Sequence, residues 1–385
     1  MILDCDLHIH GRFSIGTSRS LTFEQLVSSA IRKGLHLLGT GDILHPEWRK
    51  EFVERSHEIA SGIYEIDGIR FACTTEVEDE HRVHHLLIFP SVEAAVELSS
   101  KLDASRLKSD GRPKLALPAE KVASLCEGLE ILIGPSHAFT PYTAMYASHD
   151  SLGSCYGGMT DYVSFVELGL SADSSYADRI DELAPLVFLS NSDSHSAGRI
   201  AREFNRIDIE SKLDFLALEK AISRGSDAIV ANAGFYPQEG KYNESACARC
   251  YKHYPLGEAL ARKWRCACGG RIKRGVLDRV NELATYDMAR HPQHRGKYIH
   301  IVPVETLVAL GLDTRTTSKK VAEAIEQLLA AFGTEIEVLL SVAPEDIGKV
   351  AGSKIGRAFR IYREGRLKLI PGGGGEYGRI ELPEG

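Results

Sequence analysis

The chain opens on an apolar run, Met1-Ile2-Leu3, that passes straight into Asp4-Cys5-Asp6-Leu7-His8-Ile9-His10. This reads as a short buried strand ending in polar residues. Side chains two apart on a strand project to the same face, so the His8 and His10 imidazoles stand together. Two imidazoles on one face are half a metal site. The pair alone is equally compatible with a surface turn. The choice narrows because later apolar runs end in the same kinds of residue.

Further strand-like runs lie at 35–39, 70–74, 86–89, 130–133, 163–167 and 186–189. Helix-like stretches at 91–102, 118–126 and 213–224 fall between several of them. Thr22-Phe23-Glu24-Gln25 has the form of a capping box, opening a helix that runs to Lys33 and stops at Gly34. Repeated strand–helix alternation predicts a parallel α/β architecture. About seven strands in this length suit a barrel better than an open sheet, and residues 1–238 are assigned to it. Asp103–Lys114 is polar and carries Arg106, Lys108, Arg112 and Lys114, so a surface loop is expected there.

The strand ends carry, in order, His8 and His10, Asp42 and His45, Glu76, His84 and His85, His137, and Asp193 and His195. In a parallel barrel all C-terminal strand ends face one way, so these side chains converge. Imidazoles and carboxylates suit zinc, manganese, magnesium or iron. We expect His8, His10, Glu76 and Asp193 to hold one ion, and Glu76, His85 and His137 a second. His84 and His85 face opposite sides of a strand, and His85 is taken as the inward one. Glu76, Asp193 and His195 are the expected catalytic residues. Two ions about 4 Å apart activate water and offset phosphoryl charge.

These motifs have a family likeness. Asp-Leu-His-Ile-His, Gly-Thr-Gly-Asp42, Thr-Thr-Glu76, Gly-Pro-Ser-His137 and Asn-Ser-Asp193-Ser-His195 resemble the polymerase and histidinol phosphatase (PHP) superfamily over about residues 1–235. The resemblance implies a distorted seven-stranded (β/α)7 barrel with up to three metals and phosphoester hydrolysis. Two positions depart from the pattern: Gly16 stands where many members carry a third-metal ligand, and Thr40-Gly41-Asp42 replaces Thr-Asp-His. A third site would then lean on Asp42 and His195, with His45 nearby.

Cys247-Ala-Arg-Cys250 and Cys266-Ala-Cys268 are two thiol pairs separated by fifteen residues, a spacing typical of structural zinc. A redox dithiol would use one pair and leave the other unexplained. Residues 239–275 are assigned to this zinc domain. It is basic, and Tyr242, Tyr251, Tyr254 and Trp264 are interleaved with its cations. Cations for phosphates and flat rings for stacking suit a nucleic-acid platform, with Lys252, Arg265, Arg271, Lys273 and Arg274 as expected DNA contacts. Residues 276–385 are expected to form a helix-rich C-terminal domain with Lys319–Phe332 as its clearest helix. The stretch 359–369 alternates and reads as a hairpin, followed by a four-glycine turn at 372–375.

The net charge of −7 argues against a generally basic nucleic-acid coat without excluding a local basic surface. The absence of a leader and of a long apolar run predicts an unprocessed cytoplasmic chain. The other four cysteines sit in apolar contexts and are read as buried free thiols.

A closer resemblance runs along the whole chain. Gly-Asp-Ile-Leu-His-Pro-Glu-Trp, His-Ala-Phe-Thr-Pro-Tyr, the four-cysteine insert and the glycine-rich turn are similar to endonuclease Q. That family implies nicking of DNA 5′ to uracil, hypoxanthine, xanthine and abasic sites. A flipped base is expected to enter a pocket that includes Tyr142 and Tyr156. The alternatives are a small-molecule phosphoesterase on the same barrel and a non-catalytic DNA-binding module. A sliding clamp is a further candidate partner, although no clamp-binding motif is evident at the C-terminus, Glu-Leu-Pro-Glu-Gly.

Overall fold

The computed structural model describes residues 1–383; the last two residues of the C-terminal Glu-Leu-Pro-Glu-Gly lie outside them. The chain divides into two compact units. The first comprises Met1–Ala30, Leu35–Gly234 and Val276–Ile299, and the second Ile31–Gly34, Phe235–Gly275 and His300–Gly385. The expected break after 275 falls where the chain passes from the second unit back to the first, and the one after 238 lies a few residues beyond the end of the first unit's Leu35–Gly234 segment. Residues 276–299 return to the first, and the cysteine-bearing segment shares the second with the C-terminal helices.

In the first unit the strands are β1 (Ile2–Asp6), β2 (Leu37–Gly39), β3 (His57–Ala60), β4 (Ile63–Ile66), β5 (Ile69–Glu78), β6 (His84–Phe89), β7 (Leu132–Pro135), β8 (Phe165–Glu167), β9 (Val187–Leu189), β10 (Phe204–Asp208) and β11 (Ile229–Gly234). β1 pairs in parallel with β2, and β2 in parallel with β5. β8 and β9 are also parallel. The remaining pairings of this group are antiparallel: β1 with β10, β10 with β11, β3 with β4, β4 with β5, β5 with β6, and β6 with β7. The parallel pairing expected of the α/β architecture is thus corrected: the strands of this α/β fold pair both ways.

The reason lies in a connection. Only Asp79–Val83 separates β5 from β6, whereas a parallel neighbour needs a crossover of about a dozen residues or more. The short link turns β6 around, so its first residues, not its last, lie beside the end of β5.

Alternation along β1 puts Leu3, Cys5 and Leu7 in one apolar core with Leu37, Ala72, Leu86, Ile88, Phe165 and Leu189. The even-numbered Asp4, Asp6, His8 and His10 are buried on the other side of the strand and beyond its end. The helix Phe23–Lys33 forms as expected and ends at Gly34, whose φ of 93° suits the left-handed position there.

In the second unit β12 (Ala246–Cys247) and β13 (Ile272–Lys273) form a small hairpin. β14 (Lys297–His300), whose first three residues belong to the first unit, adds to the edge of β11. β15 (Lys368–Ile370) pairs with β16 (Arg379–Glu381) at the end of the second unit. Helices Val304–Leu312, Lys319–Phe332, Glu335–Leu340, Pro344–Ala351 and Ser353–Arg363 surround a core of Leu307, Val308, Ile325, Leu328, Ile347, Ile355 and Phe359. The hairpin expected at 359–369 is corrected here. Ile355, Phe359 and Tyr362 are buried at i, i+4 and i+7, the spacing of a helix face. Extended structure begins only at Lys368, in β15.

No helix of the described residues is long and apolar enough to cross a membrane.

Candidate metal centres

His8 and His10 leave the end of β1 and are both buried. The segment after β9 meets them: His10 N–H donates to the Ser194 carbonyl at 2.8 Å, which brings Asp193 alongside. The donor atoms of His8, His10, Glu76 and Asp193 lie within 4.8 Å of one another, as do those of Glu76, His84 and His137. Glu76 belongs to both groups. Its Oε1 lies 3.0 Å from His84 Nδ1, 3.0 Å from His137 Nε2 and 3.5 Å from His8 Nε2, and its Oε2 lies 3.4 Å from His10 Nε2.

The second group corrects the sequence expectation at one residue. In the antiparallel ladder Glu78 lies opposite His84 and Val77 opposite His85. Directly opposed residues share a face, and so do Glu76 and Glu78 two apart on one strand. Register therefore puts His84 with Glu76 and sends His85 to the other face. There His85 Nδ1 is 2.7 Å from the Tyr156 hydroxyl and Nε2 is 3.2 Å from Asp79 Oδ2, all three side chains being buried.

Carboxylates behind the rings fix which nitrogen looks inward. Glu167 Oε2 lies 2.8 Å from His8 Nδ1, and Asp42 Oδ1 lies 3.1 Å from His10 Nδ1. The Nε2 atoms are left to face Glu76 and Asp193. Glu167 also accepts from the His137 backbone N–H at 3.2 Å, so one carboxylate braces both donor groups. Asp42 further accepts from Gly11 N–H and the Ser14 hydroxyl. Partners of this kind orient metal-ligating histidines and raise their basicity. Glu167 was missed in the sequence, where it ended an apolar run without a neighbouring histidine to mark it.

Asp42 was expected as a ligand of a third ion and stands instead behind His10. His195 packs its ring 4.4 Å from that of His10, and His45 stacks on Phe13 at 4.0 Å. Asp42, His45 and His195 belong to none of the donor groups found among the described residues. Gly16, at φ 92°, sits against the His195 ring. Asp42, His137 and Asp193 all hold positive φ (45°, 32° and 46°), a conformation uncommon outside glycine that clusters at functional sites.

The residues present fit divalent ions. His8 Nε2 is buried without a hydrogen-bond partner. His84 Nδ1 and His137 Nε2 face each other at 3.2 Å, where two neutral imidazole nitrogens need either one shared proton or a cation. Burial alone would lower the His8 and His10 imidazoliums, but the surrounding carboxylates outweigh it and leave both well above the ordinary range. Burial would raise the Glu76 carboxyl, yet His84, His8, His10 and His137 pull it well below. The cluster thus favours positive charge among buried anions. Its solvent-facing rim is Asp193, His195 and Arg112, whose side chains are 29%, 30% and 21% exposed, whereas Glu76 is fully covered.

In the second unit the four cysteine Sγ atoms also lie within 4.8 Å of one another. Cys247 and Cys268 are 3.5 Å apart and Cys250 and Cys266 3.6 Å. A zinc tetrahedron with Zn–S of about 2.3 Å has edges of about 3.8 Å, so these thiols fit it. Backbone N–H groups of Arg249 and Cys268 donate to Cys247 and Cys266 Sγ, as suits thiolates.

Lys252, Arg265 and Arg271 are exposed beside this centre, and Lys273 and Arg274 are half-buried. Tyr254 is buried with its hydroxyl 3.0 Å from Cys266 Sγ, and Trp264 packs on the same small core. These two rings serve the cysteine centre, whereas Tyr251 is exposed and Tyr242 half-buried. The expected base pocket is also corrected: Tyr156 is fully buried against His85, while Tyr142 is 54% exposed on the loop after His137.

Comparison with known proteins places this geometry. The family described as the MJ0043 C-terminal domain matches residues 303–366. Protein MJ0043 of Methanocaldococcus jannaschii is 39% identical over 253 residues, 64% of this chain, and the match spans only 31% of that longer protein. Protein YqxK of Bacillus subtilis is 34% identical over 98% of both chains. The crystal structure of the lesion-specific endonuclease PfuEndoQ from Pyrococcus furiosus superposes with a TM-score of 0.94 at 42% identity, covering 100% of this chain and 96% of the other. Endonuclease Q in complex with a 27-mer duplex carrying an abasic lesion at its active site gives 0.93 at 42% identity, covering 100% and 97%. The chain belongs to the endonuclease Q family.

Proposed function

We propose that this chain is a metal-dependent DNA repair endonuclease that cuts the phosphodiester 5′ to deaminated bases and abasic sites. The observation that carries the reading is Glu76: one buried carboxylate shared by two donor groups, in a chain similar along its full length to an endonuclease solved on abasic DNA. Divalent ions held by His8, His10, Glu76 and Asp193, and by Glu76, His84 and His137, would supply an activated water and offset charge on the phosphoryl group. The water oxygen bonds to phosphorus as the bond to the 3′ oxygen breaks, and a proton ends on that oxygen. The products are a 3′-hydroxyl and a 5′-phosphate.

The protein's own residues orient and brace. Glu167 and Asp42 hold the His8 and His10 rings in the tautomer that turns Nε2 inward. Asp193 and His195 stand at the open edge, where substrate approaches. The four cysteines would hold one structural zinc, and Lys252, Arg265, Arg271, Lys273 and Arg274 would meet the DNA backbone.

The test uses end-labelled duplexes with one central deoxyuridine, deoxyinosine, abasic site or normal base, with each metal in turn. A metal-dependent nick on the 5′ side of the altered position is expected. No nick on any DNA, with phosphate released from small monoesters, would replace this reading with that of a small-molecule phosphoesterase.

A further inference from the structure

The segment 103–114, expected as a surface loop, is a short helix (Ala104–Ser109) followed by a stretch docked on the end of β5. Glu78 N–H donates to the Pro113 carbonyl at 3.0 Å, and Leu115 N–H to the Glu78 carbonyl at 2.8 Å. Gly111 N–H donates to the Phe13 carbonyl, and a Cβ at Gly111 would collide with the Asp42 carboxylate and the Ser14 hydroxyl. Asp110 Oδ1 accepts from Ile15 and Arg112 N–H. A segment tied down at three backbone points and by the Asp110 side chain, passing where only glycine fits, delivers one side chain into the centre. That side chain is Arg112.

Its guanidinium donates to Glu76 Oε2 at 3.1 Å. Arg112 Nε is buried and has no hydrogen-bond partner. The side chain is still 21% exposed, so it touches the shared carboxylate and the open rim together. Glu76 is the anion that both donor groups use, and ions bound there compete with Arg112 for it. A planar guanidinium then has donors left for the oxyanions of a phosphate, which it matches in geometry.

We propose that Arg112 is a catalytic residue that binds the non-bridging oxygens of the phosphate under attack. This rests on the phosphodiesterase reading above, and it adds a cation from the protein where that reading named only ligands. The guanidinium forms and breaks no covalent bond. It offsets negative charge that grows on the phosphoryl oxygens as water adds and the 3′ oxygen leaves.

The experiment compares native protein with Arg112→Ala and Arg112→Lys, each loaded with manganese. Three readouts are taken: metal content per chain, affinity for inorganic phosphate by calorimetry, and single-turnover nicking of abasic duplex. Arg112→Ala should keep its metal, bind phosphate about tenfold more weakly and nick about a hundredfold more slowly. Arg112→Lys should recover part of both losses, because it restores the charge without the fork. Native phosphate affinity in Arg112→Ala would overturn the proposal. So would loss of metal in that variant, which would make Arg112 a brace for Glu76 instead. If native protein nicks no DNA yet phosphate affinity still falls in Arg112→Ala, the nuclease reading fails and the assignment of Arg112 stands.

Discussion

The two candidate metal centres are built in opposite ways. The four cysteines lie within twenty-two residues of chain, on one hairpin and the turns around it. The histidine–carboxylate centre draws on strand ends from His8 to Asp193. The first is closed, with every donor a thiol and its aromatic neighbours packed against it. The second is a network: Glu167 stands behind His8, Asp42 behind His10, and Glu76 is shared between two donor groups. Donor chemistry sets the roles. Four soft thiols suit zinc and would leave it no open position, which fits a role in holding a fold. Mixed imidazoles and carboxylates with a partly exposed rim leave room for water and substrate.

That contrast can be broken at several points. The largest effect is expected at Glu76, which serves both donor groups. Glu76→Ala should lower nicking by a thousandfold or more while leaving affinity for lesion-containing duplex within about threefold. Single-turnover cleavage with fluorescence polarisation checks it, and near-native turnover would dissolve the shared centre. Asp193→Ala should behave the same way with a smaller loss.

Removing both Cys247 and Cys250 as serines should release one zinc per chain and destabilise the second unit. DNA affinity should then fall about tenfold, with a shallower dependence on salt as phosphate contacts are lost. An unchanged binding curve and salt slope would mean that this region holds shape alone. Glu167→Gln keeps the size but not the charge behind His8. It should cost about ten- to a hundredfold in metal affinity or activity, read by metal titration.

The smallest effect separates two adjacent histidines. His84→Ala should deplete the second donor group and impair nicking strongly. His85→Ala should leave nicking within a few-fold and lower stability by about 1–3 kcal/mol, because Asp79 and the Tyr156 hydroxyl lose their buried partner. Thermal melts and nicking assays on the pair decide it, and the reverse pattern would overturn the register argument.

Much of this was legible in residue type and spacing. His8, His10, Glu76, His137 and Asp193 were singled out because each follows an apolar run, and the structure brings them together. The cysteine spacing marked the second centre, since a zinc cluster made from neighbouring turns has to be written locally. The helix Lys319–Phe332 showed the period of its buried face. Other features left no local mark. The 359–369 stretch carries apolar residues that suit either period, and only packing of Phe359 and Tyr362 on the helical core decides between them.

What the sequence determined by itself was therefore the inventory: alternating strands and helices, the donors, and the four thiols at zinc spacing. Tertiary structure decided which donors meet. A strand's alternation says that His84 and His85 face opposite ways, but not which way is inward. That follows from the antiparallel register imposed by a connection of Asp79–Val83, too short for a crossover. The braces are equally non-local. Glu167 is 159 residues from His8, and Arg112 is 36 from Glu76. Side chains so far apart are matched only by the fold that places them in one buried space, where an unpartnered charge would be costly.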